Sequence, residues 1–93
     1  MRPIVFHRRA ARQFRRIPEE RRKQIKAKLR EVAALADPTS DPHAAATKGK
    51  WEGCLRLRVG DYRAIFWVVE RENSFQLQEV LEVLQVGPRG GIY

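Results

Sequence analysis

Leu55-Arg56-Leu57-Arg58-Val59-Gly60-Asp61-Tyr62-Arg63, continued by Ala64-Ile65-Phe66-Trp67-Val68-Val69, reads as a strand, a tight turn and a second strand. From Cys54 to Val59 the residues alternate: Leu55, Leu57 and Val59 share one face, while Cys54, Arg56 and Arg58 share the other. Gly60-Asp61 interrupts the run with residues that accept turn geometry. Arg63 then opens a strand rich in β-branched and aromatic side chains. The expected product is a hairpin with an apolar face turned to a core and guanidinium groups on its opposite face.

Working outward, Pro3-Ile4-Val5-Phe6-His7 is a short apolar run and reads as a first strand. Arg8 to Ile17 has helical spacing, with Ala10, Phe14 and Ile17 on one side. Pro18 interrupts that pattern and suits the first position of a new helix, with Glu19 and Glu20 in its first turn. This second helix is expected over Pro18 to Ala36, with Ile25, Leu29, Val32 and Leu35 or Ala36 as its buried stripe. Two helices joined at Pro18 form a helical hairpin able to lie across one face of a sheet. Asp37-Pro38-Thr39-Ser40-Asp41-Pro42-His43 is loop chemistry, and the loop is expected to run on to Gly53. A loop of that length in a small domain favours a functional role. Downstream, Glu70 to Ser74 is a polar turn. Phe75 to Val86 satisfies both helical and strand spacing; its position after a hairpin-like turn favours a strand, with a bulge near Val80-Leu81 where the apolar parity shifts.

At 93 residues, of which 43% are hydrophobic, the chain is expected to fold as one domain over residues 1–93. One cysteine excludes an internal disulfide, and with two separated histidines it offers no metal-ligand cluster. No apolar run spans a bilayer and the N-terminus lacks a signal-peptide core, so a cytoplasmic location without membrane attachment is expected. Charge is more telling. Nineteen Lys and Arg against 11 Asp and Glu give a formal net of +8, which suits a polyanionic partner, nucleic acid or an acidic protein. The first two helices hold much of the excess, and either a solvated surface or a phosphate-tracking one fits it.

No Ser-His-Asp arrangement or glycine-rich phosphate loop is present, and Cys54 has no evident His partner. Arginines on strands are what the sequence does offer. Arg56, Arg58 and Arg63 come from neighbouring strands, and Arg89 follows a third. Rigid strands can hold guanidinium forks at fixed spacing. Such a cluster suits a phosphate whose charge grows during transfer, because arginine stays cationic and donates two parallel hydrogen bonds. Tyr93 is suited to orienting a proton or stacking on a base. Lys48 and Lys50 flank Gly49 near the arginine strands, where phosphate contact and simple solvation are both open readings. His43 reads as an exposed loop residue, His7 as a strand end, and Trp51 and Trp67 as packing residues.

The order of these parts, with the Leu55 to Arg63 motif and the closing Gly87-Pro88-Arg89-Gly90-Gly91-Ile92-Tyr93, resembles the RelE/ParE family of bacterial toxin–antitoxin toxins over nearly the whole chain. The resemblance implies an α+β fold: an N-terminal strand and helical hairpin packed on a small, twisted, mostly antiparallel sheet. It also implies a metal-independent endoribonuclease that cuts mRNA on the ribosome and is silenced by a cognate antitoxin, with no cofactor. The implied chemistry is attack of a ribose 2′-hydroxyl on its own 3′ phosphate, leaving a cyclic phosphate and a 5′-hydroxyl. In that scheme Arg63 and Arg89 stabilise the developing charge, Arg56 and Tyr93 handle orientation or protons, and Lys48, Lys50 and Arg58 contact RNA. Cys54 and Gly90-Gly91 depart from the charged residues that relatives often carry there. Two alternatives are a branch of the family that poisons DNA gyrase and a basic binding module without activity.

Overall fold

The computed structural model of the chain describes residues 1–90. Strand β1 (Ile4–Phe6) leads into helices α1 (Arg8–Arg15) and α2 (Glu19–Ala33), followed by β2 (Ala44–Ala46), β3 (Leu55–Val59), β4 (Tyr62–Asn73) and β5 (Gln76–Pro88). The strands form one sheet in the order β1-β5-β4-β3-β2. Neighbours run antiparallel except β1 and β5, which are parallel. The helices therefore carry the chain from one edge of the sheet to the other, and in doing so they cover one face. This is the expected α+β architecture.

Alternation on the strands decides what that covered face contains. Leu57 of β3, Ala64 and Phe66 of β4, and Leu81, Val83 and Val86 of β5 are buried against Ala10, Phe14, Ile17, Ile25, Leu29, Val32 and Ala33. Each large side chain removed from water here contributes about 1.5–3 kcal/mol, which is what holds an eight-residue α1 too short to persist alone. His7 caps α1, its Nδ1 accepting from the Arg9 N–H at 3.1 Å. Pro18 is the N-cap of α2, one position before the helix rather than inside it. At the other end α2 stops at Ala33, short of the expected Ala36. The Arg2 guanidinium takes over there, donating to the carbonyls of Ala33, Leu35 and Ala36. A cation on orphan C-terminal carbonyls satisfies both their hydrogen bonds and the helix dipole.

Three further expectations are corrected. Glu70 to Asn73 are not a turn but the end of β4, paired with Gln76 to Glu79, so that only Ser74 and Phe75 turn. The segment from Asp37 to Gly53 is not one loop: Ala44–Ala46 pair with Leu55–Leu57 as an edge strand, between short 3-10 turns at Pro38–Ser40 and Gly49–Trp51. Three alanines carry neither alternation nor β-branching, so it is the open edge of β3 that recruits them. The bulge also lies elsewhere. Ile65 pairs with Gln85 and Phe66 with Val83, so the extra residue is Leu84, not Val80 or Leu81. Its effect is to return Val86 to the helix-covered face while Leu84 joins Ile65, Cys54 and Trp51 in a small cluster on the other face.

Candidate active site

Directly opposed residues in an antiparallel ladder send their side chains to the same face, and the register here lines up basic ones. Arg58 faces Arg63 across β3–β4, and Arg63 faces Gly87 across β4–β5. Beyond the end of β2 the pairing extends by one residue, since the Arg58 N–H donates to the His43 carbonyl at 3.0 Å. A transverse row results: His43, Arg58, Arg63, Gly87. With no side chain at Gly87, the row is left open at that end. The parallel row below it is Ala45, Arg56, Ile65.

The turn between β3 and β4 completes the site. Gly60 has φ +58°, a left-handed value at the first position of a two-residue hairpin loop, where glycine is favoured. The Asp61 carbonyl accepts from the Arg89 N–H at 2.7 Å, which draws the chain beyond β5 over the turn. Arg56, Arg58, Arg63 and Arg89 thus line one open groove of about 430 Å³, with Pro42, His43 and Ala45 forming its β2-side wall. Arg63 is held in place through Nη1, which donates to the carbonyls of Gly60 (3.0 Å) and Tyr62 (2.9 Å). Burial lowers the Arg63 pKa from its ordinary value, and the positive charges of Arg89, Arg58 and Arg56 push it the same way, against Asp61. The groove is thus short of negative charge, and an anion placed in it relieves repulsion already present.

Four of the seven residues expected at the site are therefore brought together: Arg56, Arg58, Arg63 and Arg89. Lys48 and Lys50 are not. They flank Gly49 outside the groove lining, and the Lys50 ammonium sits 5.6 Å from the Trp51 ring centroid. Tyr93 lies outside the described residues. Cys54 is buried on the arginine-bearing face, where burial pushes its thiol pKa up, so it reads as a packing residue rather than a nucleophile. The residue that sequence reasoning missed is His43, which the unrecognised strand β2 delivers to the groove. Basic side chains on the helices are only partly available for anions: Lys28 pairs with Asp41 and Glu31, and Lys23 with Glu19 and Glu20.

A small helix-backed sheet carrying an arginine-lined groove on its uncovered side defines a basic α+β protein built to meet an anion. Residues 4–93 match the family model described as ParE toxin of type II toxin–antitoxin system, parDE, and the chain belongs to the RelE/ParE family of type II toxin–antitoxin toxins. Among solved structures it is similar to an Escherichia coli RelE mutant in the free state, at 25% identity and TM-score 0.69, over 96% of this chain and 84% of that one. It is also similar to the archaeal RelE–RelB complex from Pyrococcus horikoshii, at 20% identity and TM-score 0.68, over 97% of each chain. The RelB–RelE complex from Methanococcus jannaschii follows at 20% identity and TM-score 0.62, over 91% of this chain and 89% of that one. No curated protein matches the chain in sequence. No described helix is long and apolar enough to cross a membrane.

Proposed function

We propose that this toxin is a ribosome-dependent, metal-independent mRNA endoribonuclease of the cytoplasm. The observation that supports this most is the convergence of Arg56, Arg58, Arg63 and Arg89 on one groove. The substrate's own 2′-hydroxyl supplies the nucleophile, so no metal-bound water is needed. Attack on the adjacent 3′ phosphate builds negative charge on the non-bridging oxygens. Arg63, pre-positioned by the Gly60 and Tyr62 carbonyls, and Arg89, held over the turn, are the groups that meet this charge. Arg56 orients the phosphate, and Tyr93 orients or exchanges a proton. Arg58, with Lys48 and Lys50 further out, contacts RNA phosphates.

The same charge calls for a silencing partner. An acidic antitoxin laid across the groove would neutralise the arginines and block RNA. The solved complexes of RelE with RelB from Pyrococcus and Methanococcus support an antitoxin partner.

A second reading, poisoning of DNA gyrase, is favoured by the ParE description of the matching family model. Cleavage of labelled mRNA by the purified toxin, with and without programmed ribosomes, separates the two. The nuclease reading expects ribosome-dependent cuts that fall about 10²–10³-fold in Arg63→Ala. Gyrase-trapped DNA breaks without RNA cuts would overturn it in favour of the second reading.

A further inference from the structure

We propose that His43 is the proton acceptor for the 2′-hydroxyl, held in place by Asp41; this deepens the nuclease reading and rests on it. Transfer of a ribose proton needs a base, and a guanidinium cannot serve near neutral pH. An imidazole can. Among the described residues that line the groove, His43 is the one side chain of that kind. It stands in the same transverse row as Arg58 and Arg63, which places an acceptor beside the anion site instead of across the molecule from it.

Asp41 supplies the positioning. Its side chain is buried, and both oxygens are engaged. Oδ2 accepts from the Lys28 ammonium at 2.8 Å, which ties the loop to α2. Oδ1 accepts from the His43 backbone N–H at 2.8 Å and lies 3.5 Å from His43 Nδ1. A carboxylate beside Nδ1 favours the tautomer with its proton there and leaves Nε2 as the basic nitrogen for the groove. The charged groups around the imidazole are Asp41 on its own loop, Arg56 and Arg58 on β3, Arg63 on β4 and Arg89 after β5, with Lys28 of α2 behind Asp41.

In the step itself the 2′-oxygen forms a bond to phosphorus and its proton passes to His43 Nε2. The bond from phosphorus to the 5′-oxygen breaks, and the departing oxygen takes a proton from water. The imidazolium then returns its proton to the hydroxide left behind, so the net change is an intramolecular transesterification. Arg63 and Arg89 bear the charge while His43 moves the proton.

The test is single-turnover cleavage of labelled mRNA on programmed ribosomes from about pH 5.5 to 8.5. Wild type, His43→Gln, His43→Ala and Arg63→Ala are compared, with thermal melts to check folding. The expected result is a wild-type rate that rises with pH to a plateau. His43→Gln should lose about 10²–10⁴-fold and also the rising limb. Ribosome binding should be unchanged, and added imidazole should restore part of the rate of His43→Ala. His43→Gln cutting within about threefold of wild type would overturn the assignment of His43 and leave the nuclease reading standing. So would a slowed variant that keeps the wild-type pH profile and ignores imidazole, the signature of a structural role. A wild-type protein that makes no cuts would remove both readings together.

Discussion

The two faces of the central sheet are built from the same strands and obey opposite rules. On the helix side, Leu57, Ala64, Phe66, Leu81 and Val83 are fully buried. One residue along β3 and β4, on the other side, come Arg56, Arg58 and Arg63 around an open groove. Because the side-chain period of a strand is two, a single backbone path assigns the packed core to one face and the cluster of guanidinium groups to the other. The arginine face is not self-stabilising: Arg58 and Arg63 stand directly opposed, and like charges so placed repel. What allows them is the dry face behind. A small cluster of Cys54, Ile65, Leu84 and Trp51 adds local support next to the groove, but the main core lies under the helices.

The sharpest break of this contrast is at Phe66, the largest fully buried side chain of the covered face. Phe66→Ala leaves a cavity that a sheet backed by two helices cannot close. It should lower unfolding free energy by about 3–5 kcal/mol, read from urea melts. A loss below about 1 kcal/mol would mean that the two faces share the folding energy far more evenly than the burial indicates.

A smaller effect is expected where the two faces are tied together, at the Lys28–Asp41 pair. Burial alone would raise the Asp41 pKa. Hydrogen bonds from Lys28 and the His43 N–H, together with their charges, outweigh it and hold the carboxyl below its ordinary value. Lys28 is shifted up in turn, chiefly by the bond to Asp41. A depressed folded pKa means the Asp41 contribution is complete above the unfolded value near 3.8 and is lost as pH falls through the lower folded value. The Lys28 contribution is present below 10.5 and is lost as pH rises through its raised value. Asp41→Asn should therefore destabilise by about 1–3 kcal/mol at neutral pH. It should also flatten the acid limb of the stability profile; an unchanged acid limb would show that other carboxylates set it.

How much of this could be read in advance differs between the faces. The Leu55 to Val59 alternation specified which side chains go to the core and which to the groove, and the register then aligned Arg58 with Arg63 as the hairpin required. Ala44–Ala46 carried no such signal, because alanine fits a helix, a loop or an edge strand equally and its pairing is decided by a distant neighbour. His43 is the exposed turn residue that its sequence context suggested, but with β2 unseen its place beside the arginines was invisible. Leu84 shows the same limit on a smaller scale. An apolar parity shift was legible between Phe75 and Val86, but its position depended on which of two neighbouring faces had room for the extra residue. Arg2 was passed over because its partners, backbone carbonyls at the far end of α2 and the Glu79 carboxylate on β5, are distant in the chain and no sequence spacing encodes them.

The smallest effect tests the claim that the groove face opposes folding. Arg58→Gln removes one member of the opposed pair while keeping a long polar side chain on an exposed strand position. Relief of a directly opposed like charge is worth about 0.2–1 kcal/mol, so the variant should be more stable than wild type by that amount at low ionic strength. The gain should shrink at about 0.5 M salt, where screening acts over a few ångströms and already quiets the repulsion in wild type. Arg58→Lys, which retains the charge, should show little of it. Urea melts at low and high salt read all three. If Arg58→Gln is instead less stable at low salt, the aliphatic stem of Arg58 contributes packing that exceeds the repulsion. The arginine face would then be a second, weaker source of folding energy, and the division between the two faces would be one of degree.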